Sequence, residues 1–248
     1  MPRMEILSMM PIIKSKSSKR IPKISIILPC HNEEQAIGLC LKKIKTILAK
    51  NQIIGEIIVS DSSTDQSAKI ATGLADKIVQ HQKIGYGLAY REAFPHASGD
   101  YIFMADPDGS YDFAEIPNFM TQLNNGNDLV IGNRLAGKIY PGAMPWIHRY
   151  LGTPLLSFIF RQIFDITIND INCGMRAIRR EKLALLNFRT EGMEFASEML
   201  VEASKKKLKI SQVSINYHPR LGNSKLKAYR DAKRHLLFMW QASRKNYA

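Results

Sequence analysis

Between residues 24 and 133, short apolar runs alternate with segments whose apolar residues recur at helical spacing. The runs are rich in β-branched residues, as expected of strands buried on both faces of a sheet. Such alternation is typical of βαβ units and predicts a mostly parallel sheet covered by helices. The predicted strands are 24–28, 56–61, 77–80, 101–106 and 128–133, and the predicted helices are 32–50, 63–76, 85–97 and 114–126.

After residue 133 this rhythm changes. The segment 146–165 is apolar and aromatic, with Arg149 and Arg161 embedded in it, and further strands are predicted at 170–180 and 209–219 around a helix at 192–207. The length suits one large domain or two small ones, and the change of pattern divides the chain near residue 133. The predicted boundaries are a flexible basic arm at 1–22, a domain at 23–235 with halves 23–133 and 134–235, and a C-terminal tail at 236–248.

The chain is strongly basic. Its 248 residues include 35 Lys and Arg against 22 Asp and Glu, a formal net charge of +13. Nucleic acid, anionic lipid and phosphorylated substrates are all candidate partners, and a soluble protein that is simply basic is the plain alternative.

No run reaches the roughly 20 uncharged apolar residues of a membrane-spanning helix. Three cysteines without a CxxC pair favour a reducing compartment.

Polar clusters follow three of the predicted strands. The first begins at Pro29 and includes His31 and Glu33, the second begins at Asp61, and the third is the run Asp106-Pro107-Asp108-Gly109-Ser110. Each cluster alone is an ordinary turn or helix cap. Because ligands of open α/β sheets collect outside the carboxyl ends of the strands, three such clusters together predict a binding crevice.

The pair Asp106 and Asp108 is the sharpest feature among them. Two carboxylates one residue apart repel each other unless a cation lies beside them. Mg²⁺ takes one or two carboxylates and completes its shell with phosphate oxygens and water. An Asp-Pro-Asp-Gly turn is the alternative interpretation, and no Walker loop or GxGxxG fingerprint follows any strand.

These motifs occur in a familiar order. ISIILPCHNEE, EIIVSDSSTD, ASGDYIFMADPDGSYD, VIGNR and INCGMR, followed by RLGNSKL, resemble the inverting glycosyltransferases of family two, and within it the polyprenyl-phosphate (dolichyl-phosphate) mannosyl- and glucosyltransferases. The resemblance covers about residues 23–235. It implies an α/β fold of the GT-A (Rossmann-like) type, a mostly parallel twisted sheet flanked by helices, with amphipathic helices in the C-terminal half.

The resemblance also implies an activity. A hexose would move with inversion from a UDP- or GDP-hexose to a polyprenyl phosphate, with Mg²⁺ or Mn²⁺ as cofactor. The half 23–133 would bind the nucleotide sugar and the half 134–235 the acceptor. Residues implied in donor binding are Pro29, His31, Glu33, Asp61, Asp106, Asp108, Arg220 and Lys225, and those implied in metal binding are Asp108, Asp106 and Ser110.

The second half would supply the acceptor site. Residues implied there are Arg134, Arg149, Ser157, Asp170 and Asn172, and those implied in catalysis are Asp106, Asp108, Arg134, Arg220 and Glu198. Glu198 would orient the sugar or act as a weak base. Because the acceptor is an already ionised phosphate, no strong general base is required, and cations that stabilise the leaving diphosphate matter more.

The segment 146–165 would then guide the lipid tail from a membrane. Its aromatic and basic residues suit an interfacial helix, and the expected location is cytoplasmic, peripheral on the cytoplasmic face of a membrane, with a membrane-protein partner possible.

Three alternatives stay open: a glycan, protein or small-molecule acceptor, a relative that binds donor without turnover, and a nucleic-acid-binding module. The last is disfavoured because carboxylates at the strand ends repel phosphate, so no nucleic-acid partner is expected.

Overall fold

The computed structural model describes residues 23–164, 166–222 and 228–244. The predicted arm at 1–22 and Lys225 lie outside these residues. The described chain forms a seven-stranded sheet in the order β3-β2-β1-β4-β6-β5-β7. The strands are β1 (Ile24–Cys30), β2 (Gly55–Asp61), β3 (Lys77–Gln80), β4 (Tyr101–Met104), β5 (Leu129–Asn133), β6 (Arg176–Arg179) and β7 (Ile210–Ser214).

The sheet is mostly parallel, as the sequence predicts. Only β6 runs against its neighbours, pairing antiparallel with both β4 and β5, whereas the other four pairings are parallel. Helices lie between the strands and cover them. They are α1 (Ile37–Lys50), α2 (Ser67–Ala71), α3 (Tyr86–Ala93), α4 (Ile116–Asn124), α5 (Thr153–Phe164), α6 (Arg180–Leu183), α7 (Phe195–Lys205) and α8 (Ala228–Ser243).

The core follows from the patterns read in the sequence. In β1 all residues but Pro29 are buried, in keeping with a strand that is covered on both faces. Helix α1 buries Ile37, Leu41, Ile44 and Leu48 against the sheet, which confirms the apolar stripe predicted for it. The predicted α/β class is therefore confirmed in the described chain.

Several predicted elements are shorter in the structure, among them the helix predicted at 63–76, which is α2 alone, and the strand predicted at 209–219, which is β7 alone. The strand predicted at 170–180 is confined to β6, because the residues before it form a loop in which the side chain of Asp170 and the backbone of Ile171 hold arginines. The segment 236–248, expected to be a tail, contains the end of α8. Phe238, Met239 and Ala242 are buried there, so this part of the chain belongs to the folded body.

The segment 146–165 is an amphipathic element, as predicted. A π-helical turn at His148–Gly152 leads into α5, which buries Phe160 and Ser157 on one side and exposes Leu155 and Phe158 on the other. Within the described ranges, no helix is both long enough and apolar enough to cross a bilayer.

Candidate active site

The strand register brings the three polar clusters to one edge of the sheet. Cys30 lies opposite Asp61, and β4 runs beside β1 with Met104 opposite Ile27. The loops after β1 and β2 are also tied to each other. The backbone N–H of Asn32 donates to Ser63 Oγ at 2.8 Å, and Asn32 Oδ1 accepts from the N–H of Thr64 at 2.8 Å. The three polar clusters therefore lie side by side at this edge, where the sequence predicts a binding crevice.

One side of the crevice is built by Pro29, His31 and Asp61. His31 Nδ1 lies 3.0 Å from the carbonyl oxygen of Ser62, which fixes the imidazole above the loop. Asp61 is only 3% exposed, and its Oδ1 is buried with no hydrogen-bond partner in the structure. Because an unpaired buried carboxylate oxygen is costly, this atom marks a place where a ligand N–H or O–H would be bound.

The centre of the crevice holds Asp106 and Asp108. Burial, reinforced by the nearby Asp108 carboxylate, raises the pKa of Asp106 to about 7. Asp108 is buried, and its Oδ1 accepts from both the N–H and the hydroxyl of Ser110, at 2.9 and 2.5 Å. Ser110 therefore orients the Asp108 carboxylate, leaving Oδ2 directed at the crevice.

Arg220 closes the opposite side. Its Nη2 lies 2.8 Å from Glu33 Oε1, and its Nη1 lies 3.5 Å from Asp108 Oδ2. The backbone around it is fastened to the loop after β4, since Leu221 N–H donates to the carbonyl of Asp108 and His218 N–H to that of Ser110. These bonds place the start of the RLGNSK segment, through Leu221, against the Asp-Pro-Asp loop.

These residues fit a divalent cation that is completed by phosphate. Asp106 and Asp108 are close enough to repel each other, and a bound cation would relieve that repulsion. Among the residues that the structure describes, no three His, Cys, Asp or Glu side chains form a ready-made metal site. The protein alone therefore offers the partial shell of oxygen ligands from which Mg²⁺ or Mn²⁺ sites with nucleotide phosphates are built.

Arg134 lies at the end of β5 and is held by Asp170. Its Nε and Nη2 donate to the two Asp170 oxygens at 2.7 and 2.8 Å, and the Arg134 N–H adds a third bond to Oδ2 at 3.1 Å. The guanidinium also lies over the ring of Tyr217, with its carbon 5.0 Å from the centroid. Asp170 is fully buried, and both of its oxygens accept hydrogen bonds from Arg134.

The remaining residues expected at the acceptor site are spread along the same side. Ser157 is fully buried on α5, where its hydroxyl accepts from the N–H of Ile171 and ties the helix to the loop before β6. Asn172, in that loop, has a buried Oδ1 with no hydrogen-bond partner in the structure. Arg149 lies on the π-helical turn with its guanidinium carbon 5.1 Å from the Tyr150 ring centroid.

Glu198 is not arranged as a general base. It is fully buried in α7, and its carboxylate accepts from the N–H groups of Arg189 and Thr190 and from the Thr190 hydroxyl, at 2.6 to 3.1 Å. The carboxylate therefore holds the loop that precedes α7. Nearby Glu194, by contrast, has a buried Oε2 with no hydrogen-bond partner in the structure.

Sequence reasoning did not identify the tyrosines around Asp106. A Cβ on Gly174 would lie 2.8 Å from Tyr86 Oη, 2.9 Å from Asp106 Oδ2 and 3.1 Å from Tyr111 Oη. Gly174 N–H also donates to Tyr111 Oη at 2.7 Å. Three oxygens thus converge where the INCGMR motif has no side chain. The glycine in that motif was the available signal, but only the fold shows which oxygens it faces.

The fold and the crevice define a class. A mostly parallel sheet with an Asp-x-Asp loop at its carboxyl edge, facing an arginine-bearing segment, is the arrangement expected of a GT-A glycosyltransferase. Residues 25–186 match the model of glycosyl transferase family 2, about two thirds of the chain. The chain belongs to that family.

Two relatives in Haloferax volcanii are informative. The chain is 39% identical to the low-salt glycan biosynthesis hexosyltransferase Agl6 over 229 residues, which are 92% of this chain but 55% of that protein. It is 29% identical to a dolichyl-phosphate hexose transferase over 205 residues, covering 82% of this chain and 86% of the relative. The chain therefore spans little more than half the length of the first relative and most of the second.

Solved structures show the same fold at lower identity. Glucosyl-3-phosphoglycerate synthase from Mycobacterium tuberculosis, in complex with Mn²⁺, UDP and glucosyl-3-phosphoglycerate, is 22% identical with a TM-score of 0.70, over 90% of this chain and 80% of that one. Mannosyl-3-phosphoglycerate synthase from Rubrobacter xylanophilus is 17% identical with a TM-score of 0.73, over 90% and 74%. The GT-A fold expected from the sequence is confirmed.

Proposed function

We propose that this protein is an inverting, metal-dependent hexosyltransferase that moves a hexose from a nucleoside diphosphate to a polyprenyl phosphate. The observation that carries the proposal is the crevice itself. It combines an unsatisfied oxygen on Asp61, the carboxylates of Asp106 and Asp108, and the arginines Arg134 and Arg220, while α5 exposes apolar side chains. The likeness to a dolichyl-phosphate hexose transferase supports the acceptor class.

The donor is assigned to the ends of β1, β2 and β4. The unpartnered Asp61 oxygen would accept from a base N–H or ribose O–H, and the His31 ring beside it offers a face for stacking. The diphosphate would lie near Asp108 and Arg220. A structural neighbour is described in complex with UDP-glucose and Mn²⁺, which agrees with a nucleotide sugar as donor.

The acceptor phosphate is assigned to Arg134. Asp170 occupies Nε and Nη2 of this guanidinium, so Nη1 is the nitrogen proposed to donate to the acceptor phosphate, in a partly buried site where charge acts in a low dielectric. Asp170 fixes the guanidinium, so Arg134 is pre-organised before the acceptor arrives. Asn172 and Arg149, on the same side, are proposed to complete this site.

In the reaction an oxygen of the acceptor phosphate attacks C1 of the hexose. The bond from C1 to the diphosphate oxygen breaks, and the nucleoside diphosphate leaves with the electron pair. The nucleophile is already an anion, so no protein group has to remove a proton from it, which agrees with a Glu198 carboxylate fully engaged by the backbone. Arg220 would stabilise negative charge on the leaving group.

Asp108 is proposed to hold Mg²⁺ or Mn²⁺, with Asp106 beside it and Ser110 orienting the carboxylate instead of serving as a strong ligand. Such an ion supplies electrostatic stabilisation of the leaving diphosphate. Asp106, next to the Tyr86 and Tyr111 hydroxyls, is proposed to face the sugar hydroxyls.

The lipid tail of the acceptor requires an apolar approach. Trp146 and Phe158 are 66% and 52% exposed in the 146–165 segment, and Leu236 and Trp240 are exposed on α8, which packs on α5. We propose that this face lies peripherally on the cytoplasmic face of a membrane. Basic side chains beside it, such as Arg149 and Arg161, would favour anionic lipid.

A transfer assay tests the proposal. The purified protein is incubated with Mn²⁺, a polyprenyl phosphate and, in turn, UDP-glucose, UDP-N-acetylglucosamine and GDP-mannose. We expect one donor to give a lipid-linked hexose, with the rate at least 10²-fold lower in Asp108→Asn, as loss of charge stabilisation typically causes. Asp100→Asn, at the opposite end of β4, is the matched control. Transfer to a saccharide but never to polyprenyl phosphate would contradict the assigned acceptor.

A further inference from the structure

The contacts of Arg220 place a cation beside Asp108 without any metal. Its guanidinium lies 2.8 Å from Glu33 Oε1 and 3.5 Å from Asp108 Oδ2. The backbone bond from Leu221 N–H to the Asp108 carbonyl, 2.8 Å long, holds the chain in this position. Gly109 allows the approach, since it adopts a φ of 81° and a Cβ there would lie 3.2 Å from the Leu221 side chain.

Arg220 and an incoming cation would consequently compete for the same atom, Oδ2 of Asp108. Oδ1 already accepts two hydrogen bonds from Ser110, so an incoming cation must use Oδ2, the oxygen that faces Arg220. A guanidinium stays charged at every relevant pH, and two cations on one carboxylate oxygen repel each other strongly in a partly buried site. A divalent ion can therefore bind Asp108 well only if Arg220 withdraws or finds another anion.

Arg220 is also incompletely satisfied where it lies. Its Nε is buried and has no hydrogen-bond partner in the structure. A buried donor left unpaired costs free energy, so the guanidinium would gain from an acceptor that reaches this atom. The oxygens of a diphosphate are such acceptors, and they would give Arg220 an anionic partner that is not Asp108.

We infer that Arg220 is a built-in competitor of the divalent cation at Asp108, so that metal and nucleoside diphosphate bind cooperatively. Metal alone competes with the guanidinium and binds weakly. When the diphosphate is present, its oxygens would pair with Arg220 and would also coordinate the metal. The metal and the diphosphate would therefore each raise the affinity for the other by the same factor. This inference rests on the metal site of the proposed function and assigns to Arg220 a second role, control of when the metal binds.

The test is a titration of Mn²⁺ into wild-type protein, Arg220→Gln and Arg220→Lys, with and without UDP. Free Mn²⁺ is measured by the electron paramagnetic resonance signal of the hydrated ion. Without UDP, Arg220→Gln should bind Mn²⁺ about tenfold more tightly than wild type, within the usual range for coupled sites, and Arg220→Lys should resemble wild type. With UDP, the gain in Mn²⁺ affinity should be about tenfold smaller in Arg220→Gln.

The matched control is Arg180→Gln, which removes the same charge from an exposed residue at the opposite edge of the sheet and should leave Mn²⁺ affinity unchanged. Circular dichroism verifies that each variant is folded. Equal Mn²⁺ affinity in wild type and Arg220→Gln would overturn the inference, as would an equal gain in Arg180→Gln.

Asp108→Asn separates this inference from the metal site on which it rests. If that variant binds Mn²⁺ as tightly as wild type, the metal site is wrong and the inference falls with it. No acceptor lipid enters the titration, so a failure of transfer to polyprenyl phosphate in the assay above would leave this result unaffected.

Discussion

Glu198 illustrates how hydrogen bonding distinguishes a carboxylate that stabilises the fold from one that could take part in a reaction. Its i, i+4 partner Glu194 has the same residue type on the same helical face, and the sequence alone favoured Glu198 for a role in the reaction. In the structure, the Glu198 carboxylate receives two backbone N–H groups and a hydroxyl, whereas Glu194 keeps a buried oxygen without a partner. The hydrogen-bond inventory distinguishes them, and residue type does not.

We therefore expect Glu198→Gln to affect stability more than chemistry. The amide replaces one accepting oxygen by a donor that faces other donors, so the free energy of unfolding should fall by about 1–3 kcal/mol. The measurement is urea unfolding, beside UDP affinity at a temperature where the variant is folded, which should change little. Glu181→Gln, exposed on α6, is the control and should change stability by less than about 0.5 kcal/mol.

A Glu198→Gln variant that is as stable as wild type but inactive would contradict this account. It would return Glu198 to the chemical role that the sequence suggested for it.

At the scale of elements, the buried Glu56 links the amino-terminal ends of neighbouring strands. Glu56, in β2, accepts from Ser25 of β1 at 2.5 Å and from the N–H and hydroxyl of Ser98 at 2.6 and 2.8 Å. Lys77 of β3 pairs with its other oxygen at 2.9 Å. Burial alone would raise the pKa of Glu56, but these hydrogen bonds outweigh it and lower the pKa from 4.5 to about 2.

The sign of this shift fixes a pH dependence. Because the folded protein binds the proton less readily than the unfolded chain, ionised Glu56 stabilises the fold above about pH 4.5, and this contribution is lost as the pH falls towards about 2. Glu56→Gln should therefore be less stable than wild type near neutral pH, with the difference shrinking below pH ~4.5. Denaturant unfolding across this range measures it, with Glu92→Gln on the exposed side of α3 as control. A difference that is constant with pH would contradict the role of the Glu56 charge.

The apolar face of the 146–165 segment gives a second prediction at this scale. Replacing Trp146 and Phe158 together with Ser should weaken binding to vesicles that contain anionic lipid, while UDP affinity stays unchanged. Binding should also weaken with salt, because basic side chains contribute to it. Co-sedimentation at low and high salt measures the effect, and Leu185→Ser, an exposed leucine elsewhere, is the control.

Wild-type protein that stays in the supernatant at low salt would contradict the membrane proposal. Equal loss of binding in Leu185→Ser would attribute the effect to general exposure of apolar surface.

At the scale of the molecule, the alternation of strands and helices sufficed to predict the sheet and the edge at which the polar clusters meet. Buried strands and the apolar stripes of helices are local sequence patterns. The elements of the first half could therefore be predicted from sequence, including the positions of Asp61, Asp106 and Asp108 near the strand ends. The reversal of β6 was not readable, because it depends on which strand fills the gap between β4 and β5. Helix α8 was also missed, since no helix was predicted after residue 219 and residues 236–248 were expected to be a tail.

The sequence offered the candidate site residues but not the contacts between them. The sequence indicated Arg134, Asp170, Arg220 and Glu33 as separate candidates. That Asp170 fixes Arg134, and that Arg220 pairs with Glu33 across 187 residues of sequence, follows from tertiary contacts that no local pattern encodes. The same holds for Gly174, whose neighbours come from α3 and from the loop after β4.

The central claim is that a phosphate oxygen of a polyprenyl phosphate becomes bonded to the hexose with inversion. Its most direct test is nuclear magnetic resonance of the purified product made from an α-linked nucleotide sugar. The account predicts a phosphorus signal that shifts from monoester to diester and a β-configured anomeric centre. An α-configured product, or a hexose attached anywhere but to the phosphate, would contradict it.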